Sequence, residues 1–82
     1  MKITDNYYVL MRLRHNSSVH RETEFIYSND ESYPDTLGTD IRYAMRFDKQ
    51  AAKWFLEDYE RREYNGEPSG FVPLHVTREY TF

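Results

Sequence analysis

The stretch Tyr7–Tyr27, YYVLMRLRHNSSVHRETEFIY, decides the fold. From Tyr7 to His15 the residues alternate. Tyr7, Val9, Met11 and Leu13 fall on one side, and Tyr8, Leu10, Arg12 and Arg14 on the other. Period-two alternation in β-forming residues reads as a strand. Residues 21–27, RETEFIY, read as its hairpin partner. If His15 faced His20, Arg14 would oppose Arg21 and Met11 would oppose Glu24. Like charges directly across a ladder are unfavourable. Shifting by one residue sets His15 against Arg21 across a five-residue loop, 16–20. Arg12 then opposes Glu24, Arg14 opposes Glu22, Met11 meets Phe25 and Val9 meets Tyr27. A one-residue slip breaks both faces at once, so the sequence predicts the shifted register.

That register leaves His15 at a strand end and His20 in a loop. Two histidines fall short of the four ligands of a structural zinc site. Glu22, the nearest carboxylate, has Arg14 as a partner, so no metal site is expected. His15, Glu22 and Arg14 are residue types that small ribonucleases use for acid–base work. A hairpin tip offers no pocket to exclude water, and no phosphate loop, HExxH helix or nucleophile elbow is present. The reading is therefore not an enzyme, with no cofactor and no small-molecule substrate.

Downstream, residues 28–39, SNDESYPDTLGT, are acidic and turn-rich, and read as a long loop. DIRYAMRF alternates again, with Ile41, Tyr43, Met45 and Phe47 on one side. It reads as a third strand, a short helical turn being the alternative. Asp48 is a good N-cap for a helix over 49–63. Its apolar stripe is Ala52, Phe55, Leu56 and Tyr59. YNGEPSG ends it, and FVPLHVTREYTF alternates as a last strand, for which Pro73 argues an edge position or an outward-facing nitrogen. The fold class is α+β, one small domain of order β-β-β-α-β, with a mostly antiparallel sheet and one helix on one face. The expected core is Val9, Met11, Leu13, Phe25, Tyr43, Phe47, Phe55, Leu56, Tyr59, Leu74 and Val76.

The 82 residues hold no cysteine, so neither a disulfide nor a thiolate metal cage is available. No apolar run approaches the roughly 20 residues of a membrane span. The opening MKITDNYYVL lacks the apolar core of a signal peptide, so a cytoplasmic protein is expected. The net charge of −3 argues against general duplex binding. The charge is uneven. Residues 30–40 carry Asp30, Glu31, Asp35 and Asp40 without a base. Residues 57–67 carry five acids against Arg61 and Arg62.

Trp54 lies roughly 150–160° round the helix from the apolar stripe, where an amphipathic helix should be polar. A tryptophan among Glu57, Asp58 and Arg61 has the composition of a binding hot spot. Together with Asp30, Glu31, Tyr33 and Asp35 it outlines a surface for a basic partner protein. The alternative surface is Arg42, Arg46, Lys49 and Lys53, interleaved with Tyr43 and Phe47, which suits a nucleic-acid backbone. A third possibility is self-assembly, through the Pro73 edge or Trp54, into a homodimer.

YYVLMRLR, DIRYAMRFDKQAAKWFLEDYE and VPLHVTREYTF together resemble short proteins encoded by phages and prophages of Gram-positive bacteria. The shared parts are the tyrosine-rich strand at Tyr7–Leu13, Ala44–Phe47, the helix at Ala51–Tyr59 and the closing strand at Val72–Val76. These are core-patterning residues. The resemblance implies a phage setting, in which small acidic proteins include anti-CRISPR inhibitors of host nucleases.

Overall fold

The computed structural model of the chain describes residues 1–15, 21–27 and 37–82, with the backbone alone at 14, 15, 21 and 22. Strand β1 (Lys2–His15) is central. It pairs antiparallel with β2 (Arg21–Ile26) on one side and with β4 (Val72–Thr81) on the other. Strand β3 (Leu37–Gly38) adds to β2, giving the order β3-β2-β1-β4. Helix α1 (Lys49–Tyr64) packs on one face. This is the expected α+β architecture.

The hairpin register is the one that charge and apolar pairing select. Met11 faces Phe25, Arg12 faces Glu24, Arg14 faces Glu22 and His15 faces Arg21. The β1–β2 ladder stops there, so the expected Val9–Tyr27 pair does not form. Tyr27 bridges Ala44, and Tyr8 exchanges both backbone hydrogen bonds with Phe47, at 2.7 and 2.8 Å. Residues 44–47 thus enter the sheet between the diverging ends of β1 and β2.

The third strand was expected one segment too late. Strand β3 lies at 37–38, inside the stretch read as loop, and Ile41–Tyr43 form a 3₁₀ turn capped by Asp40. The local reason is the Asp40 carboxylate, which accepts from the Arg42 N–H at 2.9 Å and closes a turn before an extended strand can begin. The alternation still holds over 44–47. Met45 and Phe47 join the core under the helix, while Ala44 joins the core on the other face.

Helix α1 starts where Asp48 accepts from the Ala51 N–H at 2.7 Å. It ends at Asn65, in left-handed conformation, with the Gly66 N–H returning to the Glu60 carbonyl. Its inward side chains meet Tyr8, Leu10 and Ile26, so the helix covers the even-numbered side of β1. The core expected from the odd-numbered side is therefore only half of the observed one. Leu10, Ile26 and Phe71 are buried under the helix. Val9 and Phe25 are buried on the other face, sheltered by Tyr7, Met11, Tyr27, Leu74 and Val76. Leu13 and Tyr43 leave the expected core, at 54% and 64% exposed, because no second layer lies over them among the described residues.

Gly38 shows how tightly the β3 edge is closed. A Cβ there would fall 2.0 Å from Cζ of Tyr27. The Tyr27 hydroxyl also accepts from the Asp40 N–H at 2.7 Å, so the ring is held in place over the glycine. Gly38→Ala is expected to cost about 1–3 kcal/mol through this overpacking. Urea midpoints would show it, and the cost should largely vanish in a Tyr27→Ala background.

Candidate functional site

Three surfaces bear residues with functional chemistry. The first is the outward side of α1. Trp54, Glu57, Asp58 and Arg61 follow one another at i, i+3, i+4 and i+7 and form a single stripe opposite the packed one. Trp54 is 64% exposed. Arg61 is turned to the Asp58 carboxylate, with which it pairs, so it does not stack on the indole. Arg62 binds the other Asp58 oxygen at 2.8 Å. Hydrogen bonding from Arg62, then the charges of both arginines, holds the Asp58 carboxyl below its usual pKa. This fork fixes the rim beside the tryptophan. Glu57, on the same stripe, forms no ion pair among the described residues, so it is the one carboxylate there not already matched by an arginine. The acidic-loop candidates Asp30, Glu31, Tyr33 and Asp35 lie outside the described residues.

The second surface is the basic group, which the structure divides. Arg42 grips Asp40 with two nitrogens, Nε–Oδ1 at 3.1 Å and Nη2–Oδ2 at 2.7 Å. That pairing lowers the Asp40 pKa and raises that of Arg42. The Arg46 guanidinium lies 4.5 Å above the Tyr7 ring and 4.0 Å from the Asp5 carboxylate. Lys49 and Lys53, one helical turn apart, have no ion partner among the described residues. They line a cavity of about 470 Å³ with Tyr8, Gln50 and Pro73. Tyr8 is stacked on His75, ring centroids 5.1 Å apart. The two lysines give this cavity a positive wall. The sequence reading missed Tyr8 because it lies in a strand. The alternation that places it beside Leu10 and Arg12 was its signal.

The third surface is the free edge of β4, with the sheet face that α1 leaves uncovered. Val72, Tyr80 and Phe82 are exposed there. Pro73 does stand on an edge strand, as its missing N–H requires.

Arg12 is half-buried against the buried Glu24, and its contacts are structural. Its Nε binds Glu24 at 3.1 Å, and Nη1 binds the Tyr64 hydroxyl at 2.7 Å and the Ser69 carbonyl at 3.0 Å. Its guanidinium lies 4.4 Å from the Phe71 ring centroid. Burial works against the charge, but the hydrogen bonds to Tyr64 and Glu24 outweigh it and raise the Arg12 pKa.

Among the described residues no three metal-ligating side chains stand together, and no helix is long and apolar enough to cross a membrane. Comparisons with protein-family models, with curated proteins and with solved structures return no match.

Proposed function

We propose that this chain is a non-catalytic binding protein whose outward helix stripe docks, through Trp54, on a cationic site of another protein. The carrying observation is the indole itself. It is 64% exposed on a capped helix, with no ring or cation contact among the described residues, beside Glu57 and the arginine-bound Asp58. Large aromatic anchors with a charged rim supply most of the binding energy in protein interfaces. Glu57, and in the sequence Asp30, Glu31 and Asp35, favour a positively charged partner. The phage resemblance gives the finer form: the partner is a host defence protein, a CRISPR nuclease being one case because small acidic phage proteins include anti-CRISPR inhibitors, and docking inhibits it.

The test is capture of partners from host lysate on the tagged protein, before and after nuclease treatment, with Trp54→Ala as control. Trp54→Ala is expected to leave the fold intact and to weaken capture by about 2 kcal/mol or more, roughly thirtyfold. A nuclease-resistant, cationic, identified partner that Trp54→Ala loses supports the reading. A captured set unchanged by Trp54→Ala rejects it. The Lys49–Lys53 cavity favours a second reading, a phosphate-bearing ligand or nucleic acid. Capture that disappears with nuclease and with Lys49→Glu would select that one.

A further inference from the structure

Strand β4 has one neighbour in the sheet, β1, and its other edge is open among the described residues. The backbone shows which groups line that edge. Met1 and Phe82 exchange both hydrogen bonds, so Phe82, Tyr80, Arg78, Val76 and Leu74 direct N–H and C=O toward β1. Thr81, Glu79, Thr77, His75 and Pro73 direct theirs outward. Tyr8 agrees with this phase. It lies opposite His75 and gives both its backbone groups to Phe47, on the far side. Pro73 falls in the outward set, so its missing N–H leaves the β1–β4 ladder whole. Among the described residues no bulge or covering element blunts this edge, and Pro73 interrupts its outward N–H row only at one end. An edge of this kind is a template for another strand.

We propose that the open edge of β4 pairs antiparallel with the same edge of a second copy, about a two-fold axis at Thr77. The argument is self-complementarity. In a two-fold antiparallel pair one residue stands on the axis opposite itself. With Glu79, Arg78 or His75 on the axis, a charged or titratable group meets its own copy. With Val76 there, Glu79 opposes Pro73 and gains no partner. With Thr77 on the axis, each Glu79 faces His75 of the second copy, where it already has Lys2 of its own chain at 3.3 Å. On the other face Leu74 meets Tyr80, the exposed Val72 meets the exposed Phe82, and Arg78 lies across from Val76, over which its aliphatic stem can extend. The outward N–H and C=O groups then bond to one another, except the Thr81 carbonyl, which faces Pro73 and its missing N–H, and the two sheets become one of eight strands with both helices on the same side. The three apolar side chains that the monomer leaves in solvent on this strand gain cross-strand partners.

Sedimentation velocity from about 5 to about 500 µM should show a monomer–dimer equilibrium, a concentration range set by the modest size of a single-edge interface. Hydrogen exchange supplies a readout of its own. The amides of His75, Thr77, Glu79 and Thr81 should gain protection as concentration rises. Those of Leu74, Val76, Arg78 and Tyr80, already bonded to β1, should be protected throughout. Thr77→Pro removes an outward N–H that β1 does not use and should abolish the dimer. Thr77→Lys, which sets two like charges on the axis and leaves the backbone ladder alone, should weaken it about tenfold or more. A sedimentation coefficient independent of concentration overturns the proposal. So does a dimer that both Thr77 variants leave intact, or one that Trp54→Ala dissolves.

Discussion

Arg12→Ala is expected to remove most of the protein's stability, at a cost of about 3–5 kcal/mol. The side chain is 21% exposed and its partner Glu24 only 8%. Removing the guanidinium leaves the Glu24 carboxylate in the interior without a counter-charge. It also takes the donor from the Tyr64 hydroxyl and the Ser69 carbonyl, and the cover from Phe71. The loop after α1 is pinned from both layers. Arg12 holds it from the sheet, and Glu60 holds the Ser69 N–H and hydroxyl at 2.6 and 2.8 Å from the helix. A small domain has a total stability of about 5–15 kcal/mol, and 82 residues belong near the lower bound. Urea denaturation followed by far-UV circular dichroism measures the loss. Arg12→Lys should recover only part, because a single ammonium cannot reach Glu24, Tyr64 and Ser69 as the planar fork does. Replacing both members, Arg12→Met with Glu24→Leu, should be far milder than either single loss. A single Arg12→Ala that shifts stability by under about 1 kcal/mol would contradict this account.

Leu10→Ala is expected to cost about 2.7–5 kcal/mol. Leu10 is fully buried on the central strand, among Ile26, Phe47, Ala52, Tyr59 and Phe71. The surrounding rings and the two flanking strands limit collapse into the vacated space. Each kcal/mol corresponds to a fall in Tm of about 4–8 °C in a domain of this size, so the variant should melt at least about 10 °C lower. Leu13→Ala, three residues along the same strand, is the internal comparison. Its side chain stands on the uncovered face, half in solvent, and the loss should stay under about 1 kcal/mol. Thermal melts of the two variants side by side compare the faces of one strand.

The alternation of Tyr7–His15 and the charges of RETEFIY were enough to read the hairpin register, because a slip would have misplaced both faces together. Asp48 and the 52/55/56/59 stripe were enough to read the helix. The covered side of β1 was not legible. Both sides carry large apolar residues, Val9, Met11 and Leu13 against Tyr8 and Leu10, and a period-two pattern does not say which of two apolar faces receives the helix. Arg12, between Leu10 and Arg14, looked like an outward charge. Its buried role depends on Tyr64 and Ser69, more than 50 residues away. Trp54 was legible because a helix has one outward side and its period assigns the indole to it. The division of Arg42 and Arg46 from Lys49 and Lys53 was not, since it rests on a 3₁₀ turn and on the entry of 44–47 into the sheet.

The central place of β1 has a kinetic consequence. The first strand of the chain is flanked on one side by a near neighbour and on the other by the last strand, with Lys2 opposite Thr81. The hairpin can close within microseconds, but the β1–β4 pairing must bring together opposite ends of the chain before any of its contacts form. Such high contact order slows the rate-limiting step of folding. During synthesis, at about 5–20 residues per second, β1 waits several seconds with an unsatisfied edge and two apolar faces. That interval is when the nascent chain is most exposed to aggregation, and it ends only when the closing strand leaves the ribosome.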